Sequence, residues 1–324
     1  MKYIKDDSIN LVVTSPPYPM IKMWDDIFYK MNNKININKN TKNSYELMHK
    51  ELNKVWDECY RVLKQGGLMC INIGDATRSI NKNFQLFSDH STITEYLNKI
   101  NMTQLTDIIW DKPSNAPNKF MGSGMLPTNA YITNEKEYIL IFRKGMKRSF
   151  EEIETRNRSA YFWEERNIWF SDKWKNIKGI KQSIKNKTRD RSASFPIDIP
   201  FRLINMFSIY QDTILDPFLG MGTTTLAAIL SGRNSIGVEC EKNFKTNIIE
   251  TIKNNYNKKI SNQRLETHKE FVKERTKQNK HFKHYNKNYE IEVITKQSQN
   301  KYEIKTNENN DVLNFQCDYV PIEK

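Results

Sequence analysis

Two short stretches, far apart in the chain, hold the residues best suited to chemistry. The first is Thr14-Ser15-Pro16-Pro17-Tyr18. It follows the apolar run Ile9-Asn10-Leu11-Val12-Val13, whose β-branched residues favour a strand. Two prolines then stop the strand, because neither donates to a ladder and each fixes its own φ. The expected product is a rigid corner presenting one small hydroxyl, a carbonyl without a ladder partner and one aromatic ring. Such a corner suits a planar ring bearing an amino group: the oxygens accept its N–H groups and Tyr18 covers its face. A plain proline turn with a packed tyrosine fits the same five residues, so the remaining chain must decide.

The second stretch is Asp216-Pro217-Phe218-Leu219-Gly220-Met221-Gly222-Thr223-Thr224-Thr225, between a strand and a helix. Its glycines let the backbone turn sharply and approach a ligand, and a Cβ at Gly222 is expected to block that approach. The helix opening at Thr223 turns amide N–H groups and a positive dipole end toward an anion. Glu239 ends the next strand, seventeen residues after Gly222, where an acid accepts both hydroxyls of a ribose. A P-loop requires Gly-Lys-Ser/Thr, which is missing here, and a dinucleotide fingerprint requires a third glycine where Thr225 stands. S-adenosyl-L-methionine asks for less: a close backbone approach, a helix end and a ribose acceptor, with Asp216 near its sulfonium. A nicotinamide-linked dehydrogenase is the rival enzyme. It leaves Ser15 to Tyr18 without a task.

The elements that position these stretches alternate between strand and helix. Tyr45, Met48, Leu52, Val55, Trp56 and Cys59 recur at three- and four-residue steps, predicting a helix over Tyr45 to Leu63 capped by Ser44 and ended by Gly66-Gly67. Leu68 to Ile73 reads as a buried strand closing on Gly74-Asp75, and Asp75 either lines a pocket or caps a helix. A second unit runs from about Ser91 through Ile108-Ile109-Trp110, and Tyr138 to Phe142 is a further strand. Ile197 to Ile209 reads as a helix, Asp212 to Leu215 and Ser235 to Val238 as strands, and Asn243 to about Asn279 as a polar helical region. Tyr289 to Thr295 reads as a last strand, before a polar tail from Gln297 in which Val312 to Val320 has the composition to dock. This is an α/β pattern with a mostly parallel sheet and ligands at its carboxyl edge.

The 324 residues carry 51 Lys+Arg against 38 Asp+Glu, a net charge of +13, which favours an anionic partner. Arg143 to Arg191 concentrates it, with fifteen Lys/Arg against seven Asp/Glu and Tyr161, Phe162, Trp163, Trp169, Phe170 and Trp174 interleaved. Cations meeting phosphates and rings meeting bases would make this a nucleic-acid surface. A basic helical insert whose aromatics form a small core of its own fits too. Cys59, Cys70, Cys240 and Cys317 show no disulfide or metal spacing and are expected as reduced core thiols. His281-x-x-His284 lacks partners, so no metal is expected. No signal peptide or membrane-length apolar run occurs, and a cytoplasmic protein without membrane contact is expected.

With both motifs in hand the chain resembles the β-type amino-group DNA methyltransferases of restriction–modification systems. In that family a Ser/Asp/Asn-Pro-Pro-Tyr motif works with an Asp-Pro-Phe-x-Gly-x-Gly motif, here in permuted order with the basic segment between them. Arg61 to Gly67 matches the family's helix-to-strand junction, Trp110-Asp111-Lys112-Pro113 its Trp-x-Lys-Pro loop, and Ser194-Phe195-Pro196 its cofactor-side proline motif. The chain departs at Lys136-Glu137, where the family often has His-Glu, and at Met221, where a small residue is common. The family's cofactor-adjacent strand before Pro-Pro-Tyr is missing, and Glu290 to Thr295 is the candidate replacement.

The resemblance implies a Rossmann-like S-adenosylmethionine-dependent methyltransferase fold. It divides into a catalytic half (1–145), a basic target-recognition insert (146–192), a cofactor-binding half (193–296) and a polar tail (297–324). It implies Ser15, Pro16, Pro17 and Tyr18 as catalytic, and Asp216, Pro217, Phe218, Gly220, Gly222, Thr223, Thr224, Glu239, Phe195 and Pro196 as cofactor-binding. Lys112, Arg156, Arg158, Arg166, Lys173, Lys175, Lys178, Lys181, Arg189 and Arg191 become the expected contacts to double-stranded DNA. No Pro-Cys occurs, so attack at a cytosine ring carbon is not expected. In the family a serine at the position of Ser15 goes with cytosine N4 and an aspartate with adenine N6; the adenine enzyme and a non-enzymatic DNA-binding protein stay open as alternatives. The Tyr18 to Trp24 continuation resembles members that modify short palindromes such as CTAG. A cognate restriction endonuclease is the expected functional partner.

Overall fold

β1 (Ile9–Thr14) is buried at every position, as a strand covered on both faces must be. Leu11 and Val13 join one apolar cluster and Val12 the other, so period-two alternation divides the side chains between two layers. The computed structural model to which β1 belongs describes residues 1–112, 121–150, 153–175, 177–178, 195–255 and 259–294. The tail from Gln297 and its 312–320 segment lie outside the described residues.

α1 (Asp25–Met31) leads to α2 (Thr41–Val62), which buries Met48, Leu52, Trp56, Cys59 and Val62 along one face. The helix starts at Thr41, not Tyr45, because Asn40 caps it by accepting from the Asn43 N–H at 3.1 Å. Ser44, the expected cap, is buried inside the helix, where its Oγ accepts from the Asn36 N–H at 3.0 Å and fastens the preceding loop. β2 (Leu63–Ile73) includes Gly66-Gly67, where its pairing with β1 shifts register between Ile9 and Leu11. Gly66 has φ +77°, and a Cβ there would lie 2.6 Å from the Arg148 nitrogen, so the position admits only glycine.

The hairpin of β3 (Ala76–Ile80) and β4 (Asn83–Phe87) has no counterpart in the sequence reading. Its turn residues, Asn81 and Lys82, both take positive φ (49° and 66°), the requirement of a tight hairpin without the usual glycine that advertises one. α3 (Asp89–Lys99), β5 (Met102–Gln104), β6 (Ile108–Asp111), the short ribbon of β7 (Met121–Gly122) and β8 (Ala130–Tyr131), and β9 (Lys136–Lys144) follow. Next come α4 (Ile153–Arg158), α5 (Trp163–Trp169), β10 (Lys173–Trp174), α6 (Asp198–Phe207), β11 (Thr213–Asp216), α7 (Thr223–Leu230), β12 (Asn234–Gly237), α8 (Phe244–Asn255) and α9 (Lys259–Lys277).

The central sheet has the order β10-β6-β9-β2-β1-β11-β12, with β5 also on β9. The pairs β10–β6, β2–β1, β1–β11 and β11–β12 are parallel, and β9 runs antiparallel to its neighbours β2 and β6. The expected mixed α/β class with a mostly parallel sheet is therefore the observed one. α2 and α3 cover one face, while α5, α6, α7 and α8 bury their apolar residues on the other. β1 is flanked by β2, next in sequence, and by β11, almost two hundred residues later. Their carboxyl ends meet at this switch point, where an open α/β sheet forms its ligand crevice.

Two expectations are corrected. The last predicted strand does not join the sheet: β14 (Ile291–Val293) pairs with β13 (His284–Asn286) in a separate hairpin, held against α9 by His268 Nε2 and the Glu292 carbonyl at 3.0 Å. It is therefore not the replacement expected for the family's strand before Pro-Pro-Tyr. The basic segment, in turn, sends β10 into the sheet edge with Trp174 opposite Trp110, and Phe162, Trp169 and Trp174 are buried. Those three rings serve the core and offer no face to bases.

Candidate active site

The two motifs meet through one hydrogen bond. Thr14, the last residue of β1, donates from Oγ1 to Asp216 Oδ1 at 2.6 Å, and Asp216 ends the neighbouring strand β11. Parallel pairing of Leu11 with Ile214 and Val12 with Leu215 sets that register. Asp216 also accepts from the Phe218 N–H at 3.1 Å. Burial pushes its carboxyl up to about 6, against the lowering effect of the Thr14, Thr224 and Phe218 hydrogen bonds. Asp216 is thus the tie between the two halves of the site.

Beyond Thr14 the chain turns through Pro16 and Pro17, both buried, and leaves Ser15 and Tyr18 partly exposed. Ser15 Oγ donates to the Tyr18 hydroxyl at 3.2 Å, and that hydroxyl donates to Glu137 Oε2 at 2.9 Å. Asn72 Nδ2 donates to the Tyr18 oxygen at 2.9 Å and to Glu137 Oε2 at 2.6 Å. Lys112 Nζ closes the network on Glu137 Oε1 at 2.7 Å while lying 5.1 Å from the centre of the Trp110 ring. Burial, then the charge of Glu137, holds the Tyr18 phenol well above its usual range, so it stays a proton donor. Gly74 makes room for the ring, because a Cβ there would lie 3.1 Å from Tyr18 Cε2.

Asn72 and Glu137 were missed from the sequence, and Lys112 was expected on DNA instead of in this network. Each had a signal. Asn72 is the polar residue inside the apolar run of β2, and Glu137 matches the acid of the family's His-Glu pair, the departure lying at Lys136. Asp75 caps α3: it accepts from the His90 N–H at 3.1 Å and pairs with His90 Nδ1 at 2.8 Å, so of its two readings the cap is the observed one.

On the other side of Asp216, Pro217 is buried and Phe218 meets Trp56 edge-on, ring centres 5.8 Å apart. Gly220 and Gly222 take φ of +53° and +82°. Their surroundings differ. A Cβ on Gly220 would find only the Phe218 carbonyl at 3.9 Å, whereas one on Gly222 would meet Ile248 Cγ2 at 3.1 Å and Ile252 Cδ1 at 3.4 Å. The reason offered for Gly222 is therefore corrected: its missing side chain makes room for α8, and the open approach lies at Gly220.

Thr223 begins α7, and Thr224 donates to the Val13 carbonyl at 3.4 Å. Glu239 stands two residues past β12, with Oε2 accepting from the Gly220 N–H and Oε1 from the Glu241 N–H, each at 2.9 Å. A carboxylate offers about four acceptor positions, so both oxygens keep capacity for further donors. Phe195 is buried with Leu226 and Phe244 in one apolar cluster, and Pro196 is buried beside it. Cys59 and Cys70 are buried thiols as expected, but Cys240 is exposed beside Glu239, and Cys317 lies outside the described residues.

Of the basic residues, Arg156, Arg166, Lys173, Lys175 and Lys178 are exposed and Arg158 is half-buried. Arg156 rests on the Phe150 ring and Arg166 on the Phe170 ring, at 4.6 and 5.7 Å from the centres. Lys173 and Lys175 line an open cleft with Phe84, Tyr131 and Lys136. Lys181, Arg189 and Arg191 lie outside the described residues. Among the described residues no set of three or more His, Cys, Asp or Glu is arranged to hold a metal, and no helix is long and apolar enough to cross a membrane.

Comparison with known proteins places this geometry. The DNA methylase family model for N6 and N4 enzymes matches residues 9–251. The type II methyltransferase M.MthZI of Methanothermobacter thermautotrophicus is 50% identical over 311 residues, covering 92% of this chain and 86% of its own. M.MjaI of Methanocaldococcus jannaschii, also a type II methyltransferase, is 53% identical over 267 residues, 78% of this chain and 88% of its own. Among solved structures, a protein of Thermus thermophilus assigned as a DNA modification methylase and complexed with S-adenosyl-L-methionine is 29% identical. It superposes with a TM-score of 0.62 over 78% of this chain and 90% of its own. The cytosine-N4-specific PvuII DNA methyltransferase is 17% identical with a TM-score of 0.54 over 79% of this chain and 87% of its own, a likeness of fold.

Proposed function

The chain belongs to the N6/N4 DNA methylase family, and from that premise we propose that it methylates the exocyclic N4 of a cytosine flipped out of duplex DNA. The observation that carries the reading is the Thr14–Asp216 hydrogen bond, which brings the Ser15 corner beside the glycine loop. S-adenosyl-L-methionine is the methyl donor. The loop suits it through the open backbone at Gly220, the N-terminal end of α7 and the remaining acceptor capacity of Glu239. Bound there, it supplies an electrophilic methyl group carried on a sulfonium.

The rest falls to the chain's own residues. An exocyclic amine within a duplex is paired and unreachable, and flipping its base costs a few kcal/mol. Stacking on Tyr18 returns roughly 1–3 kcal/mol. The amine's lone pair is delocalised into its ring, so it is a poor nucleophile until its geometry changes. The Ser15 oxygen and Pro16 carbonyl accept its two N–H bonds and favour a pyramidal nitrogen whose lone pair faces the methyl group. Orientation of two bound partners then supplies most of the acceleration, and no covalent enzyme intermediate is needed.

Ser15, where an acid would suit adenine, supports cytosine as the target, with adenine N6 as the alternative. The exposed cations Arg156, Arg166, Lys173, Lys175 and Lys178 supply the phosphate contacts, while Lys112 stays with Glu137. Kinship with type II methyltransferases supports a protective role opposite a cognate restriction endonuclease. Incubation with labelled S-adenosyl-L-methionine and duplexes with and without CTAG, followed by nucleoside mass spectrometry, should yield N4-methylcytosine. N6-methyladenine would transfer the reading to the alternative, and thermal stabilisation by NAD but not by S-adenosylhomocysteine would overturn it.

A further inference from the structure

Transfer to an amine leaves one proton too many on nitrogen, and the network behind Tyr18 is arranged to take it. The donor–acceptor order follows from proton counting. A Glu137 carboxylate beside Lys112 only accepts, so the single Tyr18 hydroxyl proton points at Oε2, 2.9 Å away. The Tyr18 oxygen is then left to accept, and takes Asn72 Nδ2 at 2.9 Å and Ser15 Oγ at 3.2 Å. The one Ser15 proton is thereby committed to Tyr18. Both Ser15 lone pairs face away from that bond, available to an amine N–H.

A buried carboxylate paired with lysine is most often a structural ion pair. Here three features set it apart. Glu137 is bonded to both hydroxyls of the catalytic corner, one directly and one through the other. Asn72, a polar side chain in the apolar run Leu68 to Ile73, donates both to the Tyr18 oxygen and to Glu137 Oε2. The Lys112 side chain is 44% exposed, which gives the buried end of the chain a route to solvent.

We propose that Ser15, Tyr18 and Glu137 form a proton exit from the target amine, with Glu137 as the positioning residue that fixes its direction and receives the proton. The nitrogen lone pair forms the bond to the methyl carbon, and the carbon–sulfur bond of the sulfonium donor breaks with its electron pair left on sulfur. The surplus N–H proton passes to Ser15 Oγ as the Ser15 proton moves to the Tyr18 oxygen and the Tyr18 proton to Glu137 Oε2. The corner returns to its starting protonation, and Glu137 leaves the cycle as a neutral acid that loses its proton to water beside Lys112. The relay rests on the amine-transfer reading but serves either base, so nucleoside analysis of the wild-type product tests that reading separately.

Glu137→Gln turns the chain around, because its amide donates to Tyr18 and sends the tyrosine proton toward Ser15. Single-turnover methylation should fall about a hundredfold, the scale of a lost proton-transfer group. Affinities for DNA and for S-adenosyl-L-methionine, measured by calorimetry, should stay at wild-type values. Tyr18→Phe keeps the stacking ring, removes the relay oxygen and should be equally slow. The double variant should be no slower than either single one, because both break the same chain. The solvent deuterium isotope effect on the wild-type single turnover should vanish in Tyr18→Phe, a change that loss of packing alone would not produce. A wild-type rate in Glu137→Gln, or an unchanged isotope effect in Tyr18→Phe, would overturn the relay.

Discussion

In the proposed reading Ser15 and Tyr18 divide the work of one corner: a hydroxyl that accepts the amine and a ring that covers the base. Removing the ring should therefore separate chemistry from cofactor binding. Tyr18→Ala should bind S-adenosyl-L-methionine normally and methylate roughly tenfold to a hundredfold more slowly than Tyr18→Phe, the value of one stacked base; a rate on duplex DNA equal to that of Tyr18→Phe would refute the stacking role. Asp216 makes a prediction in pH. Its carboxyl, pushed up to about 6 by burial, is neutral below that pH and anionic above it. A cationic sulfonium is favoured by the anion, so affinity for S-adenosyl-L-methionine should weaken as pH falls through about 6. Asp216→Asn, which still accepts from Thr14, should flatten that dependence in calorimetry at pH 5 and 7.5. An equal slope in both proteins would remove Asp216 from the cofactor's charge environment.

Among the elements, α2 and β2 carry the clearest lesson about reading sequence. The three- and four-residue periodicity marked the buried face of α2 correctly, since the same residues must be apolar whatever lies beyond the helix. The cap was misplaced because Asn40 and Ser44 are both good capping residues, and a loop contact from Asn36 claims Ser44. Asn40→Ala should cost about 1 kcal/mol in chemical denaturation, the usual value of an N-cap side chain. An effect within a few tenths of a kcal/mol would show that the Asn40 side chain does not stabilise the helix start. Gly66-Gly67 has the composition of a helix stop yet falls inside β2, where the backbone of Arg148, remote in sequence, leaves no room for a Cβ at Gly66. The β3–β4 hairpin is silent in the sequence for lack of a glycine at its turn.

Over the whole molecule the charge of +13 is the property most open to test. Exposed Lys173, Lys175 and Lys178 lie on the segment that buries Phe162, Trp169 and Trp174 while Trp163 and Phe170 stay exposed, and in the proposed reading these lysines meet DNA phosphates. Replacing all three lysines with alanine should weaken binding to cognate and unrelated duplexes alike. It should also lower the slope of log affinity against log salt by about 0.9 for each phosphate that is no longer neutralised. A slope unchanged within error would move the phosphate contacts elsewhere on the surface.

By itself the sequence determined the alternating α/β class, the Ser-Pro-Pro-Tyr corner and the glycine loop. These are matters of local chemistry: proline stops a strand, glycine permits a left-handed turn, and apolar period distinguishes helix from strand. Only the tertiary structure decided which residues surround that corner. Glu137 lies 119 positions from Tyr18 and Asn72 lies 54, and they meet because β9 runs antiparallel beside β2, a pairing that no local pattern records. The tertiary structure also assigned Gly220 to the open approach and Gly222 to helix packing, since identical glycines differ only in what a Cβ would touch. Residue type tells what chemistry is on offer; strand order and register decide which atoms are close enough to perform it.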